Sequence, residues 1–415
     1  MRVLFITQQW EPEHGVPQRR GRWMADTLMS RGHQVTVVAP PPHYPHGRLL
    51  SSSPEDQAGA VSVSQKGETI YRAHFRPHDA RISTRVVDQA VVAISSLTTG
   101  IRAARDTHPD VILTTSPPLP ATFTAFVVAR VVRRPFVVDL RDVWPELTRF
   151  VISADPSSSH VRAVLKRIAH PAFLFAGSVF GYLLSQSDGV LTTSQSHAQA
   201  IKNRYGVRTS TLFNDILVAF PKNVPPRNDS SARDIHVLYT GNIGRAQGLE
   251  NAIEAAKRAR QHGTNVVLRL IGQGAHLPRI KKLAASLPYI DFVPLSEEST
   301  LQEHYAWADT ILVHLKDWPP LEKTIPSKLF TAIGSGLHVC LAANGESTEI
   351  MRRSRVGDCV PAMDPDALAQ LWRELAGNRE RLDVSDRGIN WLRETVVAAK
   401  PDEIFIDFLE QAIRN

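Results

Sequence analysis

Cysteine is nearly absent from this sequence, and so is any long apolar run. The chain has 415 residues and only two cysteines, Cys340 and Cys359. Two cysteines imply no disulfide framework and are compatible with a reducing cytoplasm. No apolar stretch reaches the ~20 residues that a membrane-spanning helix needs. The sequence opens at once on the strand-like run RVLFIT, so we expect no signal peptide and a cytoplasmic protein.

Several chemical signatures are also missing. The sequence contains no P-loop, no nucleophile elbow and no nucleic-acid-binding module. Its 16 histidines are scattered, and His43, His46 and His74 fall in loop-like sequence without the spacing of helical metal ligands. We therefore expect no metal site, no cofactor and no nucleic-acid partner.

What is present is the composition of a large folded protein with excess positive charge. Hydrophobic residues make up 43% and charged residues 21%, which is typical of a globular chain. The length predicts two domains of about 200 residues each. Lys and Arg number 48 against 41 Asp and Glu, giving a net charge of +7. This excess favours an anionic partner such as a nucleotide, a phosphate or an acidic membrane surface.

Short apolar runs alternate with helix-like stretches in both halves of the chain. This rhythm predicts an α/β protein with two doubly wound, parallel-sheet domains facing each other across a cleft. The polar, proline-rich segment 220–234 predicts a linker between domains at 1–219 and 235–385. Residues 41–69 are predicted to form a long loop. The strand-like runs are RVLFIT, QVTVVAP, DVILTTS, PFVVDL, GVLTTS, HVLYTG, VVLRLIG, DFVPL, TILVHL and HVCLAA.

Glycines follow the first strand of the second half, in HVLYTGNIGRAQGLENAIEAA. Gly241, Gly244 and Gly248 separate the strand from an amphipathic helix. Glycines allow a close backbone approach, and a helix N-terminus offers N–H donors to a phosphate. Arg245 could add a bidentate contact to that phosphate. A tight turn that binds no ligand is the alternative.

A lysine lies at a second helix start, in IPSKLFTAIGSG. Ser327 is a plausible N-cap, and Lys328 follows it. A cation is unfavourable at the positive end of a helix unless an anion binds there. A solvated surface lysine is the alternative. In LAANGESTEIMRRS, Gly345 lies at a turn and Glu346 opens the following helix. An acid at this position either interacts favourably with the helix dipole alone or binds sugar hydroxyls.

The first half carries two comparable clusters of charge. Basic residues follow a loop that contains Gly15, and acids and bases alternate directly after a buried strand. Basic residues at a helix start predict a visiting anion, whereas the mixed cluster predicts a site or a structural Arg–Asp pair. The basic residues are Arg19, Arg20 and Arg22, and the mixed cluster is Asp139, Arg141, Asp142, Trp144 and Glu146.

Together these segments resemble bacterial family-4 glycosyltransferases of the GT-B fold, and within them the surface-polysaccharide branch that includes N-acetylfucosamine transferases. The resembling pieces are the first 46 residues after Met1, VVDLRDVWPE, VLYTGNIGRAQGLENAIEAA, LIGQGAHLPRIKKLA, TIPSKLFTAIGSGL and GESTEI, in family order. The resemblance implies sugar transfer from a nucleotide donor, expected to be UDP-linked, with retention at the anomeric carbon and no essential metal. It also implies that C-terminal helices in 386–415 cross back to the first domain.

The resemblance assigns roles by position. The second domain would hold the donor, and the first domain would hold the acceptor through Gly15, Arg19 and Trp144. The catalytic set would be Asp139, Arg141, Asp142 and Lys328. The donor-binding set would be Gly241, Asn242, Gly244, Arg245, Gln247, Leu295, Ser327, Lys328, Thr331, Gly345 and Glu346.

The sequence also departs from the family pattern. The paired glutamates that many members carry around this helix are Lys323 and Thr331 here, with Glu322 close by as a substitute. Thr331 makes only a neutral hydrogen bond where the family's glutamate binds ribose. A nucleotide- or glycan-binding protein without transfer therefore stays an alternative, as does a sugar-nucleotide epimerase. The acceptor could be a glycan, a small molecule or a lipid-linked sugar at the inner face of the membrane, since 162–184 combines basic and apolar residues.

Overall fold

A computed structural model describes residues 1–13, 15–44, 47–79, 82–147, 150, 160–214, 234–294, 298–384 and 386–414. The chain divides into two compact units, one of Met1–Leu217 with Lys400–Asn415 and the other of Val218–Ala399. Residues 220–233 of the predicted linker lie outside the described residues. Each unit is built on one sheet, and the α/β prediction is confirmed.

The sheet of the first unit has eight strands in the order β3-β4-β2-β1-β5-β6-β7-β8. Neighbouring strands are parallel except for the antiparallel pair β3 and β4. Its central strands are near-continuous Val, Ile and Leu runs because helices cover both faces. The strands are β1 Arg2–Ile6, β2 Gln34–Ala39, β3 Val61–Val63, β4 Thr69–Arg72, β5 Val111–Ser116, β6 Phe136–Leu140, β7 Gly189–Thr192 and β8 Thr209–Thr211.

Two hydrophobic clusters pack on this sheet, one on each face. One includes Phe5, Met24 and the last helix through Phe405 and Leu409. The other includes Leu4, Val128 and Phe180. No helix among the described residues has both the length and the apolar character needed to cross a bilayer. The helices are α1 Val16–Ser30, α2 Ile82–Thr107, α3 Leu119–Val132, α4 His160–Ser185, α5 Gln195–Tyr205 and, from the chain end, α13 Pro401–Arg414.

The prediction of a long loop over 41–69 is wrong in part. A short 3-10 helix, Pro54–Asp56, and strand β3 lie inside this segment. Val61 and Val63 of β3 are exposed, and the strand pairs with β4 alone at the sheet edge. Three residues at a half-solvated edge leave no periodic apolar signal, which explains why the strand was missed.

The sheet of the second unit has six parallel strands in the order β11-β10-β9-β12-β13-β14. The strands are β9 Asp234–Thr240, β10 Asn265–Ile271, β11 Ile290–Val293, β12 Thr310–His314, β13 His338–Ala342 and β14 Gly357–Val360. The helices are α6 Leu249–Gln261, α7 Leu277–Leu283, α8 Glu298–Trp307, α9 Ser327–Gly334, α10 Glu346–Ser354, α11 Pro365–Gly377 and α12 Arg387–Leu392. Because α12 belongs to this unit, the chain rejoins the first unit at Lys400 and not at residue 386.

Each sheet has a point where the strand order reverses. In the first sheet this point lies between β1 and β5, and in the second between β9 and β12. The loops that leave two such strands turn to opposite faces and open a crevice beyond their carboxyl ends. The fold therefore selects two places for ligands, one in each unit.

Candidate functional site

At the reversal point of the second sheet, two glycine turns stack backbone against backbone. Gly241 follows β9 with φ +123°, and Gly272 follows β10 with φ +146°. A Cβ at Gly272 would lie 1.9 Å from the Gly241 carbonyl oxygen. The Gly241 amide donates to the Ile271 carbonyl at 2.9 Å. No side chain fits between these turns, so only backbone groups meet at the carboxyl ends of β9 and β10.

The turn that follows β9 is stabilised by hydrogen bonds between its own residues and Tyr239. The Gln247 Oε1 accepts a hydrogen bond from the Gly244 amide at 3.1 Å, and Arg245–Gln247 forms one turn of 3-10 helix. The Tyr239 hydroxyl donates to the Asn242 carbonyl at 2.6 Å, while the Asn242 residue is exposed. Gln247 is therefore engaged within the turn, whereas Asn242 and half-buried Arg245 remain at the surface of the crevice.

Lys328 places a cation under this turn. Its Nζ is buried and has no hydrogen-bond partner among the described residues, although the residue as a whole is half-buried. The Nζ lies 3.7 Å from the ring centroid of Tyr239 and 3.3 Å from the position that a Cβ would take on Gly241. Burial lowers the pKa of Lys328 to about 7. An anion at Gly241 would supply the missing partner.

The prediction that Ser327 caps its helix is wrong. Helix α9 begins at Ser327, so the N-cap position falls on Pro326, which has no side chain that can cap the helix. Pro326 has extended backbone angles, φ −59° and ψ 130°, and Ser327 already belongs to the first turn. Uncapped N–H groups at a helix start suit an anion. Thr331, one turn further on, is half-buried.

Gly345 brings a third helix start to the same edge of the sheet. It has φ +78°, and a Cβ there would lie 2.0 Å from the Glu322 carbonyl oxygen. The Ser347 hydroxyl donates to the Thr324 carbonyl at 3.0 Å. Half-buried Glu346 lies in the first turn of α10, next to this contact, while the Glu322 side chain is exposed. Glycine is required at 345 by this close approach.

Sequence reasoning missed the polar residues at the end of β12. His314 is fully buried, with its Nε2 2.9 Å from Asn251 Nδ2. Burial lowers the pKa of His314 to about 4, so the ring is neutral. The Lys316 ammonium instead pairs with Glu250 at 2.7 Å. A histidine ending the strand run TILVHL was the available signal. Leu295 lies outside the described residues.

The sequence predicted a visiting anion at the basic residues of α1 in the first unit. Two of these residues, Arg20 and Arg22, instead pair with carboxylates of the protein itself. Arg20 Nη2 lies 2.8 Å from Asp139 Oδ1, with both side chains 1% exposed. Arg20 also donates to the Phe213 carbonyl at 3.2 Å. The Arg22 guanidinium pairs with Glu68 at 2.5 Å. Arg20 and Arg22 therefore stabilise the fold, and the prediction of a visiting anion at these two is wrong.

Asp139 is consequently not exposed to a substrate, against its predicted catalytic role. Its Oδ2 accepts from Thr115 Oγ1 at 3.3 Å as well as from Arg20. Thr115 Oγ1 in turn accepts from Arg141 Nε at 2.8 Å. Asp139 thus holds Arg141 in position through Thr115. The Arg–Asp structural pair foreseen from the sequence exists, but Arg20 is the partner.

A pocket of about 340 Å³ opens at the reversal point of the first sheet. Arg141 and Asp142 line it, and Asp142 is exposed. Half-buried Trp144 packs on the hydrophobic cluster around Val128 and does not line the pocket. The other lining residues are Gln8, Gln9, Pro17, His43, Tyr44, His78, Arg85, Asp88, Gln89, Pro117 and Pro118.

Two of the predicted acceptor residues, Gly15 and Arg19, lie at the start of α1. Gly15 precedes α1 with φ −179°, which any residue adopts, and a Cβ there would lie 3.5 Å from Pro17 Cδ. Arg19 is exposed on α1. The structure therefore gives no steric reason for glycine at position 15.

Two α/β units, each with a parallel sheet whose strand order reverses, form the architecture of the GT-B fold. Residues 15–212 match the family model described as glycosyl transferase 4-like domain. Residues 234–378 match the model described as glycosyl transferases group 1. The chain is a glycosyltransferase of the GT-B type, as the sequence predicted.

Known proteins extend this likeness over most of the chain. WcaI of Escherichia coli (strain K12), named provisionally as a colanic acid biosynthesis glycosyl transferase, is 26% identical over 357 residues, covering 83% of each chain. Sucrose-phosphate synthase from Thermosynechococcus elongatus superposes with a TM-score of 0.69 at 15% identity, covering 99% of this chain and 98% of that one. HepE from Anabaena, solved with UDP-glucose, superposes with a TM-score of 0.64 at 14% identity over 99% of both chains.

Proposed function

We propose that the protein transfers a sugar from a UDP-linked donor to an acceptor hydroxyl, with retention at the anomeric carbon and without a metal at the diphosphate. We place it in surface-polysaccharide synthesis, in a branch similar to N-acetylfucosamine transferases. The observation that carries the proposal is the buried Lys328 ammonium, which has no hydrogen-bond partner among the described residues and lies under the Gly241 turn.

The donor diphosphate binds where three features meet. Gly241 and Gly244 let the backbone approach it, the first turn of α9 offers uncapped N–H groups, and Lys328 supplies the charge. Arg245, half-buried on the neighbouring 3-10 turn, adds a second cation. The sugar lies against Gly345 and Glu346, and the ribose near Thr331. Ser327, Asn242, Gln247 and Leu295 complete the donor site.

These residues provide electrostatic catalysis. As the glycosidic bond breaks, negative charge builds on the leaving diphosphate and positive charge on the sugar ring. Fixed donors and a preformed cation act most strongly on such charge when water is excluded. Lys328 meets both conditions, since its Nζ is buried and its position is held by Tyr239. No side-chain nucleophile is required.

The acceptor binds in the first unit, at the pocket lined by Arg141 and Asp142. Arg141 positions an anionic or hydroxyl group of the acceptor, and Asp142 is the exposed carboxylate available to it. Arg19, Gly15 and Trp144 contribute to the rim. Asp139 is a positioning residue that acts through Thr115.

A lipid-linked acceptor at the inner face of the membrane accounts for two further features. Phe175 and Tyr182 on α4 are 72% and 58% exposed, and the chain carries a net charge of +7. Exposed aromatics with basic residues favour peripheral binding to an anionic bilayer. A soluble glycan or small-molecule acceptor would need neither feature.

The transfer is tested by NMR of the product formed from α-linked UDP-sugars in the presence of EDTA. Retention predicts an α-configured product together with release of UDP. A β-configured product would overturn the retaining mechanism. Donor binding without any transfer or hydrolysis would favour a nucleotide-binding protein that lacks activity.

Substitution of Thr331 by glutamate is expected to tighten UDP binding about tenfold. A hydrogen bond to a charged group contributes about 1.5–3 kcal/mol, against about 0.5–1.5 for a neutral one. Calorimetry on T331E and on the neutral control T331Q measures the difference. Equal affinity in T331E and T331Q would contradict the placement of ribose at this position.

Donor affinity is expected to fall between pH 7 and pH 9. The pKa of Lys328 is about 7 in the free protein, and the diphosphate binds the protonated amine. Each pH unit above 7 should therefore weaken UDP-sugar binding up to about tenfold. His314 does not contribute, because its pKa of about 4 leaves it neutral throughout. Titrations at pH 7, 8 and 9 check this, and an affinity independent of pH would contradict it.

A further inference from the structure

Two histidines and one aspartate from distant segments meet at the wall of the first-unit pocket. His43 Nε2 lies 3.5 Å from Asp88 Oδ2, and His78 Nε2 lies 3.8 Å from the same oxygen. The three ligand atoms are all within 4.8 Å of one another. His43 and Asp88 are buried, and His78 is half-buried. No metal site was expected from the sequence, because the three residues share no regular spacing.

In both histidines, the ring nitrogen that faces away from the cluster already makes a hydrogen bond. His43 Nδ1 lies 2.7 Å from the Pro41 carbonyl, and His78 Nδ1 lies 2.9 Å from the Asp79 carbonyl. A carbonyl only accepts, so both Nδ1 atoms carry the proton. In both rings Nε2 is therefore the nitrogen that faces the cluster and that a metal ion would take up. Hydrogen bonds from the other ring nitrogen to a carbonyl hold the rings of metal-binding histidines in place.

Asp88 is oriented in the same way. Its Oδ1 accepts a hydrogen bond from the Arg76 amide at 2.9 Å, and its Oδ2 faces the histidines. The surrounding backbone holds the rings in place. Gly47 has φ +68°, and a Cβ there would lie 2.5 Å from His78 Nδ1. The His43 ring stacks on Phe75 with centroids 4.6 Å apart.

The spacing fits a tetrahedral ion. Ligand atoms about 2.0–2.1 Å from Zn²⁺ are separated by about 3.3–3.4 Å in a tetrahedron. The two distances from Asp88 Oδ2, 3.5 and 3.8 Å, are close to this value, and all three ligand atoms lie within 4.8 Å of one another. Two imidazoles and one carboxylate are the ligand set of Zn²⁺ sites that keep a fourth position open. All three residues line the pocket, so that position faces it.

We propose that His43, His78 and Asp88 form a Zn²⁺ site in the first unit, with a water or a ligand oxygen from the pocket as the fourth ligand. The ion ties the segments around residues 43 and 78 to helix α2, which carries Asp88. These three residues line the pocket proposed for the acceptor, but their Zn²⁺ binding is measured without donor or acceptor and does not depend on the transfer reaction.

The test uses the tag-free, full-length chain after treatment with EDTA and gel filtration. Calorimetry with Zn²⁺ is expected to give one equivalent bound per chain, together with a rise in melting temperature. Co²⁺ should produce the visible absorption of a tetrahedral site. H78A and D88N should each weaken Zn²⁺ binding by at least about 10–100-fold, the loss that follows removal of even an outer-shell partner.

Exposed His74 provides the matched control, and H74A should bind Zn²⁺ as the native chain does. D88N preserves the size of the side chain, so equal melting temperatures in EDTA would show that it folds. Absence of stoichiometric binding by the native chain would overturn the proposal. Equal Zn²⁺ affinity in D88N, H78A and H74A would overturn it as well.

Discussion

Substitution of Lys328 by methionine is expected to stabilise the protein while it abolishes donor binding. The Nζ is a buried donor without a hydrogen-bond partner among the described residues. Removing such a group should raise the free energy of unfolding at pH 7 by about 1–3 kcal/mol. The pKa of Lys328 is lowered to about 7 by burial. Its unfavourable effect on stability is therefore present at pH 7 and disappears as the pH rises towards the unfolded value.

The same change removes the cation that the diphosphate needs, so UDP affinity should fall at least about a hundredfold, as expected for the loss of a buried charge-assisted bond of about 3 kcal/mol. Thermal unfolding and calorimetry on K328M measure the two effects. The control is K316M, which should destabilise the protein because Lys316 pairs with Glu250 at 2.7 Å. A K328M protein that is less stable but binds UDP normally would refute the assignment.

Breaking the buried Arg20–Asp139 pair is expected to have the largest effect on stability. Asp139→Asn keeps the shape of the side chain but leaves the Arg20 guanidinium unpaired in the core. Loss of one partner of a buried ion pair costs about 3–5 kcal/mol. Denaturant unfolding of D139N measures this loss.

The matched control is Asp110→Asn. Asp110 pairs with Arg2 at 3.3 Å, but the two side chains are 27% and 43% exposed. An exposed pair contributes about 1 kcal/mol or less, so D110N should unfold near the native midpoint. A D139N protein that is as stable as D110N but inactive would restore the catalytic role that the sequence suggested for Asp139.

The sequence predicted those strands well whose two faces are both covered by helices. Runs such as QVTVVA in β2 and TILVH in β12 are buried along nearly their whole length, because helices cover both faces of each sheet. That environment leaves a continuous apolar signal. Strands β3, β4, β8 and β14 were not predicted. Each has only three or four residues, and all but β4 lie at sheet edges.

The candidate site was predictable only where chemistry is local. Gly241 directly follows β9, Gly345 lies just before α10, and Lys328 lies in the first turn of α9, so local turn and helix-start motifs were enough to find them. The partner of Asp139 was not predictable, because Arg20 lies 119 positions away. His43, His78 and Asp88 are likewise joined only by the fold. Long-range pairing leaves no trace in the spacing of a single sequence.

We propose that the second unit binds a nucleoside diphosphate at the Gly241 turn and Lys328. Calorimetric titration of the purified chain with UDP, GDP, ADP and dTDP in EDTA measures this binding. We predict that UDP binds selectively to the native chain and that this binding is lost in K328M. If none of the four binds at millimolar concentration, or if UDP binds K328M as it binds the native chain, the account is contradicted.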